Sequence, residues 1–194
     1  AVKSLVDRDS QLAQIIIERD HEVNRLDVEI DELCIRLLAL HQPAGKDLRF
    51  ITTGLKITTD LERIGDMSVN LCERALELNK EPQLKPYIDI PRMARIAQRM
   101  IRESLDAFVR EDTDLALKVC KDDEEIDQLN SQIFREVITF MIEDPHTINR
   151  AMKISSISKY LERMADHATN IAEMVIFMAK GKSIRHMKDL PPSV

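Results

Sequence analysis

The chain has 194 residues, 44% of them hydrophobic, only 4% aromatic and none Trp, and it carries a formal net charge of −6. That is enough apolar material for one large domain or two small ones, and nine Met against four Gly point to packed helices rather than a β-rich fold. The acidic balance and the lack of a Lys/Arg-rich block exclude direct nucleic-acid binding as an expectation, and no stretch reaches the ~18 apolar residues a membrane span needs.

Prolines divide the chain into helical blocks: Pro43, then Pro82, Pro86 and Pro91, then Pro145, then Pro191-Pro192. Residues 1–9 read as the end of a helix. Asp9 or Ser10 caps a short helix through Glu18. Residues 20–41 carry the stripe Val23, Leu26, Ile30, Leu33, Leu37, Leu40. After the loop His41-Gln42-Pro43-Ala44-Gly45, a long helix runs from about Lys46 to Leu78. A Pro-containing linker follows, and the pattern restarts: a helix over 93–110, a short helix from Asp112 or Thr113 to Cys120, a helix over 123–142, and a last long helix over 147–180 with Gly181 as its C-cap. The expected organisation is a first helical repeat over 1–80, a linker over 81–91, a second repeat over 92–181 and a polar tail over 182–194. The first half has no counterpart for the helix over 92–104. Equivalent halves would therefore place about one to two dozen residues before Ala1. Cys34, Cys72 and Cys120 are widely spaced and odd in number, and read as small buried or half-buried thiols in a reducing compartment.

The two long helices carry one motif twice. Leu61-Glu62-Arg63-Ile64-Gly65-Asp66-Met67-Ser68-Val69-Asn70-Leu71-Cys72-Glu73 returns a hundred residues later as Leu161-Glu162-Arg163-Met164-Ala165-Asp166-His167-Ala168-Thr169-Asn170-Ile171-Ala172-Glu173, with six of thirteen positions identical. Five of the six are polar, whereas a structural repeat should keep its apolar face and drift on its solvent face. At about 100° per residue, Leu161, Met164, Ala168, Ile171, Val175 and Met178 form a core stripe. Glu162, Asp166, Asn170 and Glu173 fall within about 80° of one another on another side.

The preceding helix of each half has its own oxygen line: Asp20, Asn24, Asp27 and Asp31 in the first, Asp123, Asp127 and Asn130 in the second. Oxygen side chains stacked this way repel unless a cation joins them, and hard cations favour such ligands. The alternatives are N-cap roles for Asp20 and Asp123 and a solvated charged face for the motif. Arg63 and Arg163 would pair with carboxylates of the neighbouring helix or guard the acidic patch. His167 is not a required ligand, because Met67 stands in its place in the first copy.

An enzyme is not expected. Glu18-x-x-His21 and Glu143-x-x-His146 have the spacing of a di-iron site, but neither long motif has a His three residues after its Glu. No phosphate loop or nucleophilic triad stands out. The competing class is a metal-free helical adaptor docking through its acidic stripes, or through apolar faces around Met174, Ile176 and Phe177.

Gln42-Pro43 with Asp47-Leu48-Arg49, Asp20-x-x-Val23-Asn24, Leu61-Glu62-Arg63-Ile64-Gly65-Asp66 with Asn70, Tyr160-Leu161-Glu162-Arg163-Met164-Ala165-Asp166, and Gly181-x-x-x-Arg185-His186 together resemble the PhoU family of phosphate-transport regulators, from about Leu5 to His186. The resemblance implies an all-α fold of two pseudo-symmetric three-helix bundles side by side, with the first helix of the first bundle truncated. It implies metal ions (iron, zinc, manganese, magnesium or nickel) held at Glu62 and Asp66 with Asp20 and Asn24, and at Glu162 and Asp166 with Asp123 and Asp127. Asn70 and Asn170 join that candidate set from the repeated motif itself. Asn24 replaces the acid found at Asp127, so the first site would hold fewer or weaker metals. The implied role is negative regulation of phosphate uptake and of the phosphate regulon, as a cytoplasmic scaffold. It would link the ATPase subunit of the Pst transporter with the PhoR sensor kinase, work as a homodimer or higher oligomer, and meet the membrane only through partners.

Overall fold

The computed structural model describes residues 1–181; the polar tail and the Arg185-His186 pair lie outside the described residues. Every regular element among the described residues is helical: α1 (Val2–Val6), α2 (Ser10–Glu18), α3 (Asp20–His41), α4 (Gly45–Leu78), α5 (Asp89–Arg110), α6 (Thr113–Glu143), a 3-10 turn (Pro145–Thr147) and α7 (Ile148–Lys180). In the second half α5, α6 and α7 pack on one another as a three-helix bundle. In the first half α1, α2 and α3 all pack on α4. The motif helices α4 and α7 lie against each other and join the halves.

Local signals set most boundaries. The Asp9 carboxylate accepts from the Leu12 amide and starts α2. Asp112 Oδ1 accepts from the amides of Asp114 and Leu115 at 3.0 and 2.9 Å and starts α6. Asp112→Ala is expected to lower stability by about 1 kcal/mol in urea denaturation; no change would mean solvent replaces the cap freely. Gly181 closes α7 with φ 68°, a left-handed conformation that glycine adopts without penalty. Pro91 does not delay α5, which begins at Asp89, because a first-turn proline has no intrahelical hydrogen bond to lose. The expected break between Cys120 and Asp123 is absent. α6 runs unbroken through that polar stretch, which contains no Gly or Pro. Arg99 pairs with Asp122, Lys118 with Glu103, and Arg92 with Glu125, so its charges are held against α5. The first half does break, at Arg19 between α2 and α3.

The larger of two core clusters spans both halves. Leu5, Leu71, Ala75 and Leu78 from the first half pack with Met93, Met100, Ile126, Ile133, Ile154 and Ile157 from the second. The expected stripe of α7 is buried throughout, from Leu161 to Met178. Ala13 and Ala116, which answer each other in the two halves, are both fully buried. Small side chains at Ala151, Ala165, Ala168 and Ala172 let neighbouring helices approach α7 closely. Cys34 and Cys72 are buried and Cys120 half-buried, all as free thiols.

α3 departs from its expected stripe. Leu26, Ile30, Leu33 and Leu40 are exposed, Leu40 to 71%, and Cys34 is the residue α3 buries fully. The reason is its neighbours: α3 has α4 along its length and touches α2 only at its end, whereas α6 is flanked by both α5 and α7. An apolar groove of about 530 Å³ is left between α3 and α4, lined by Ile16, Val23, Leu26, Ile30, Leu61 and Ile64. Of the apolar residues offered as an adaptor surface, Met174 and Ile176 are buried and Phe177 alone is exposed.

Candidate metal centres

Each half brings its two oxygen lines together where the penultimate helix crosses the motif helix. In the second half the lines are Asp123 and Asp127 on α6 and Glu162 and Asp166 on α7, each pair one turn apart. Asp123 lies in mid-helix, so it is not an N-cap. Burial pushes its carboxyl up to about 6, helped by the negative charges of Asp166, Asp127 and Glu162 and eased by the Thr169 hydroxyl. Burial also raises Asp127, with Glu162 adding to it. Asp166 is raised by burial, then by Glu162 and Asp127. Asp123, Asp127 and Asp166 are thus each raised, first by burial and then by negative neighbours on the two helices. Asp123 Oδ1 and Glu162 Oε2 are buried and make no hydrogen bond of good geometry, although the Thr169 hydroxyl lies near enough to Asp123 to ease its charge. The adjoining Cys120 thiol is pushed up to about 12, first by burial and then by Glu173 and Asp123, so it is no thiolate ligand at neutral pH.

One cation stands in this cluster. Lys159 Nζ donates to Glu162 Oε1 at 2.6 Å and forms an ion pair with Oε2. Its charge also draws the Asp127 and Asp166 carboxyls downward, against the rise.

The first half is built differently. α3 begins at Asp20, whose side chain makes no capping bond; its Oδ2 instead accepts from Asn24 Nδ2 at 2.8 Å. The helices meet closely at Gly65, where an added Cβ would lie 3.3 Å from Asp20 Oδ1 and 3.4 Å from Val23 Cγ1. This places Asp20 over the motif turn that holds Glu62 and Asp66. Arg63 lies 3.5 Å from both Glu62 Oε2 and Asp66 Oδ2, so it pairs along its own helix rather than across to α3. Asn70 and Asn170 sit half-buried further along their helices and make no hydrogen bond to these carboxylates among the described residues.

Among the described residues, no three His, Cys, Asp or Glu side chains converge closely enough to hold a metal ion as they stand. The second-half donors still fit a hard cation in chemistry: all are carboxylates, they crowd one another, and two buried oxygens, Asp123 Oδ1 and Glu162 Oε2, make no hydrogen bond. Closing them on an ion requires side-chain rotation and release of Lys159. In the first-half set an amide donates to one Asp20 oxygen and the Arg63 guanidinium stands beside Glu62 and Asp66, so an incoming ion meets a competing positive charge there too.

His167 is placed outside both lines. Its Nδ1–H donates to Asp60 Oδ1 at 2.6 Å, tying α7 to α4 between the halves. Nothing in the repeat announces this contact, because the counterparts of Asp60 and His167 are Tyr160 and Met67. The role of Lys159 was legible only as a lysine three residues before Glu162.

The model of the PhoU domain matches residues 1–75 and again 90–175. The chain belongs to the PhoU family. A relative from Pseudomonas aeruginosa, named phosphate-specific transport system accessory protein PhoU homolog, is 43% identical over 188 residues, covering 96% of this chain and 78% of the relative. One of the same name from Aquifex aeolicus is 42% identical over 186 residues, covering 96% and 84%. The fold is shared with the crystal structure of PhoU from Pseudomonas aeruginosa, at a TM-score of 0.89 and 42% identity over 93% of this chain and 87% of that one. The crystal structure of the phosphate transport system regulatory protein PhoU from Streptococcus pneumoniae gives 0.88 and 31% over 97% and 87%. The all-α pair of helical bundles expected from the motifs is therefore the fold of the family. No described helix is long and apolar enough to cross a membrane.

Proposed function

We propose that this PhoU-family chain is an accessory regulator of a phosphate-specific transport system, and that it works as a metal-binding helical scaffold rather than a catalyst. The relatives' names support the transport role. The observation that carries the metal reading is the four-carboxylate crowding of Asp123, Asp127, Glu162 and Asp166 around two buried oxygens that make no hydrogen bond. A bound divalent or trivalent ion would supply the charge that offsets their repulsion. Asp123 and Asp127 would then hold α6, and Glu162 and Asp166 would hold α7, to a common centre. Glu62, Asp66 and Asp20, with Asn24, form the weaker counterpart. The scaffold so fixed would restrain phosphate uptake and the phosphate regulon by joining the Pst ATPase subunit to the PhoR kinase in the cytoplasm, as a dimer or larger oligomer.

The test is elemental analysis and calorimetric titration with manganese and magnesium, comparing the native chain with Glu162→Ala/Asp166→Ala and with Glu62→Ala/Asp66→Ala. The expected result is ion uptake abolished by the second-half pair and weakened less by the first-half pair, with helicity kept in both. No uptake of manganese, magnesium, iron, zinc or nickel by the native chain would leave the metal-free adaptor. That reading draws on the pairing of Arg63 with Glu62 and Asp66, which gives the first stripe a surface of mixed charge suited to docking a protein.

A further inference from the structure

We infer that Lys159 is a tethered counter-ion of the second-half carboxylates, which an incoming metal ion must displace, so that ion binding releases a lysine arm to the outer face of α7. This rests on the reading of those carboxylates as a cation site. Three observations carry it. Lys159 Nζ donates to Glu162 Oε1 and stands within ion-pair reach of Oε2, which accepts no hydrogen bond. The Glu162 side chain is 14% exposed and that of Lys159 50%, so the ammonium is drawn to a buried carboxylate from a stem that otherwise reaches solvent. Its charge also acts on Asp127 and Asp166, one carboxylate on each helix.

Chemistry turns this contact into competition. An ammonium has three N–H donors and no lone pair, so it can occupy carboxylate oxygens but cannot share them as a metal ligand. A divalent ion that takes the Glu162 oxygens competes with Lys159 for their lone pairs, and its like charge repels the ammonium away from the carboxylate. The first half has no such device at this position, where Thr59 stands; Arg63 pairs there instead. The lysine sets the ion concentration at which the second site loads, and its release makes occupancy readable on the surface.

The experiment titrates manganese into the chelator-treated full chain by calorimetry, in a Glu62→Gln/Asp66→Asn background so that the second-half carboxylates alone report. The unsubstituted position is compared with Lys159→Met and Lys159→Arg. In parallel, amine labelling read by mass spectrometry follows Lys159 with and without manganese. Lys159→Met should bind manganese about three- to tenfold more tightly, Lys159→Arg should stay within about twofold of the parent because its charge is kept, and manganese should raise Lys159 labelling. A Lys159→Met affinity equal to or weaker than the parent's, with the parent binding, overturns the competitor role and leaves the metal site standing. Absence of manganese binding in parent and variant alike removes both. Lys159 is half-exposed, so its substitution leaves the fold intact, which circular dichroism verifies.

Discussion

Replacing Ile171 by Ala should cost about 2–4 kcal/mol in urea denaturation, without changing the denaturant dependence. Ile171 is fully buried and packs with Ile57 and Met174, against Leu61, Leu105 and Phe108. This cluster lies on the seam where α4 meets α7, so the lost methylenes leave a gap between the halves rather than inside one bundle. Neither neighbour can close it easily, because α7 is also fixed by α5 and α6. The control is Ile142→Ala: Ile142 is 77% exposed, and truncating it should change stability by less than about 0.5 kcal/mol. A loss below about 1 kcal/mol at Ile171 would mean that the seam repacks and that the halves are joined loosely.

In chelator, the protein should lose stability as pH rises from about 4 through 6, and Asp123→Asn should remove most of that loss. The Asp123 carboxyl titrates near 6 in the fold against 3.8 ordinarily, so the folded chain binds this proton more tightly than the unfolded chain does. Its contribution is present in full below pH 3.8 and gone once the pH has passed the folded value. A displacement of that size has an upper bound of about 3 kcal/mol. Solvent reaches the half-buried group, so about 1–2 kcal/mol is expected. Asp127 and Asp166 move in the same direction and add to the slope. The measurement is urea denaturation of parent and variant from pH 4 to 8, read as the difference between them so that other carboxylates cancel. Asp123→Asn should match the parent near pH 4 and exceed it above pH 7. Equal stability at every pH would show that Asp123 bears no burial or repulsion penalty. Manganese should narrow the difference by stabilising the parent, as any ligand of the native state does.

The candidate site was unevenly legible. Glu62, Asp66, Glu162 and Asp166 announced themselves because the same carboxylates recur at the same spacing a hundred residues apart. Asp123 and Asp127 followed from i, i+4 spacing on the preceding helix, and the structure sets them against Glu162 and Asp166. Asn24 led to the expectation of a weaker first-half site, and the structure shows Asn24 Nδ2 donating to one oxygen of Asp20. The countercharge of Lys159 and the His167–Asp60 tie were not foreseen. The first depends on a lysine stem folding back onto the half-buried Glu162, and the second joins residues 107 positions apart.

The sequence by itself determined most of the helices, their caps to within one residue at Asp9 or Ser10 and Asp112 or Thr113, the Gly181 cap, the twofold repeat and the carboxylate lines. All of these are written in local spacing and turn chemistry, which the backbone obeys residue by residue. Only the tertiary structure decided that α6 runs unbroken past Cys120, that the apolar stripe of α3 lies open while its counterpart on α6 is buried, and that the two acidic sets are unequal. Each of those depends on which helix lies alongside. A pattern along one chain segment states which face is apolar or charged, but burial and repulsion are properties of the neighbour that meets it.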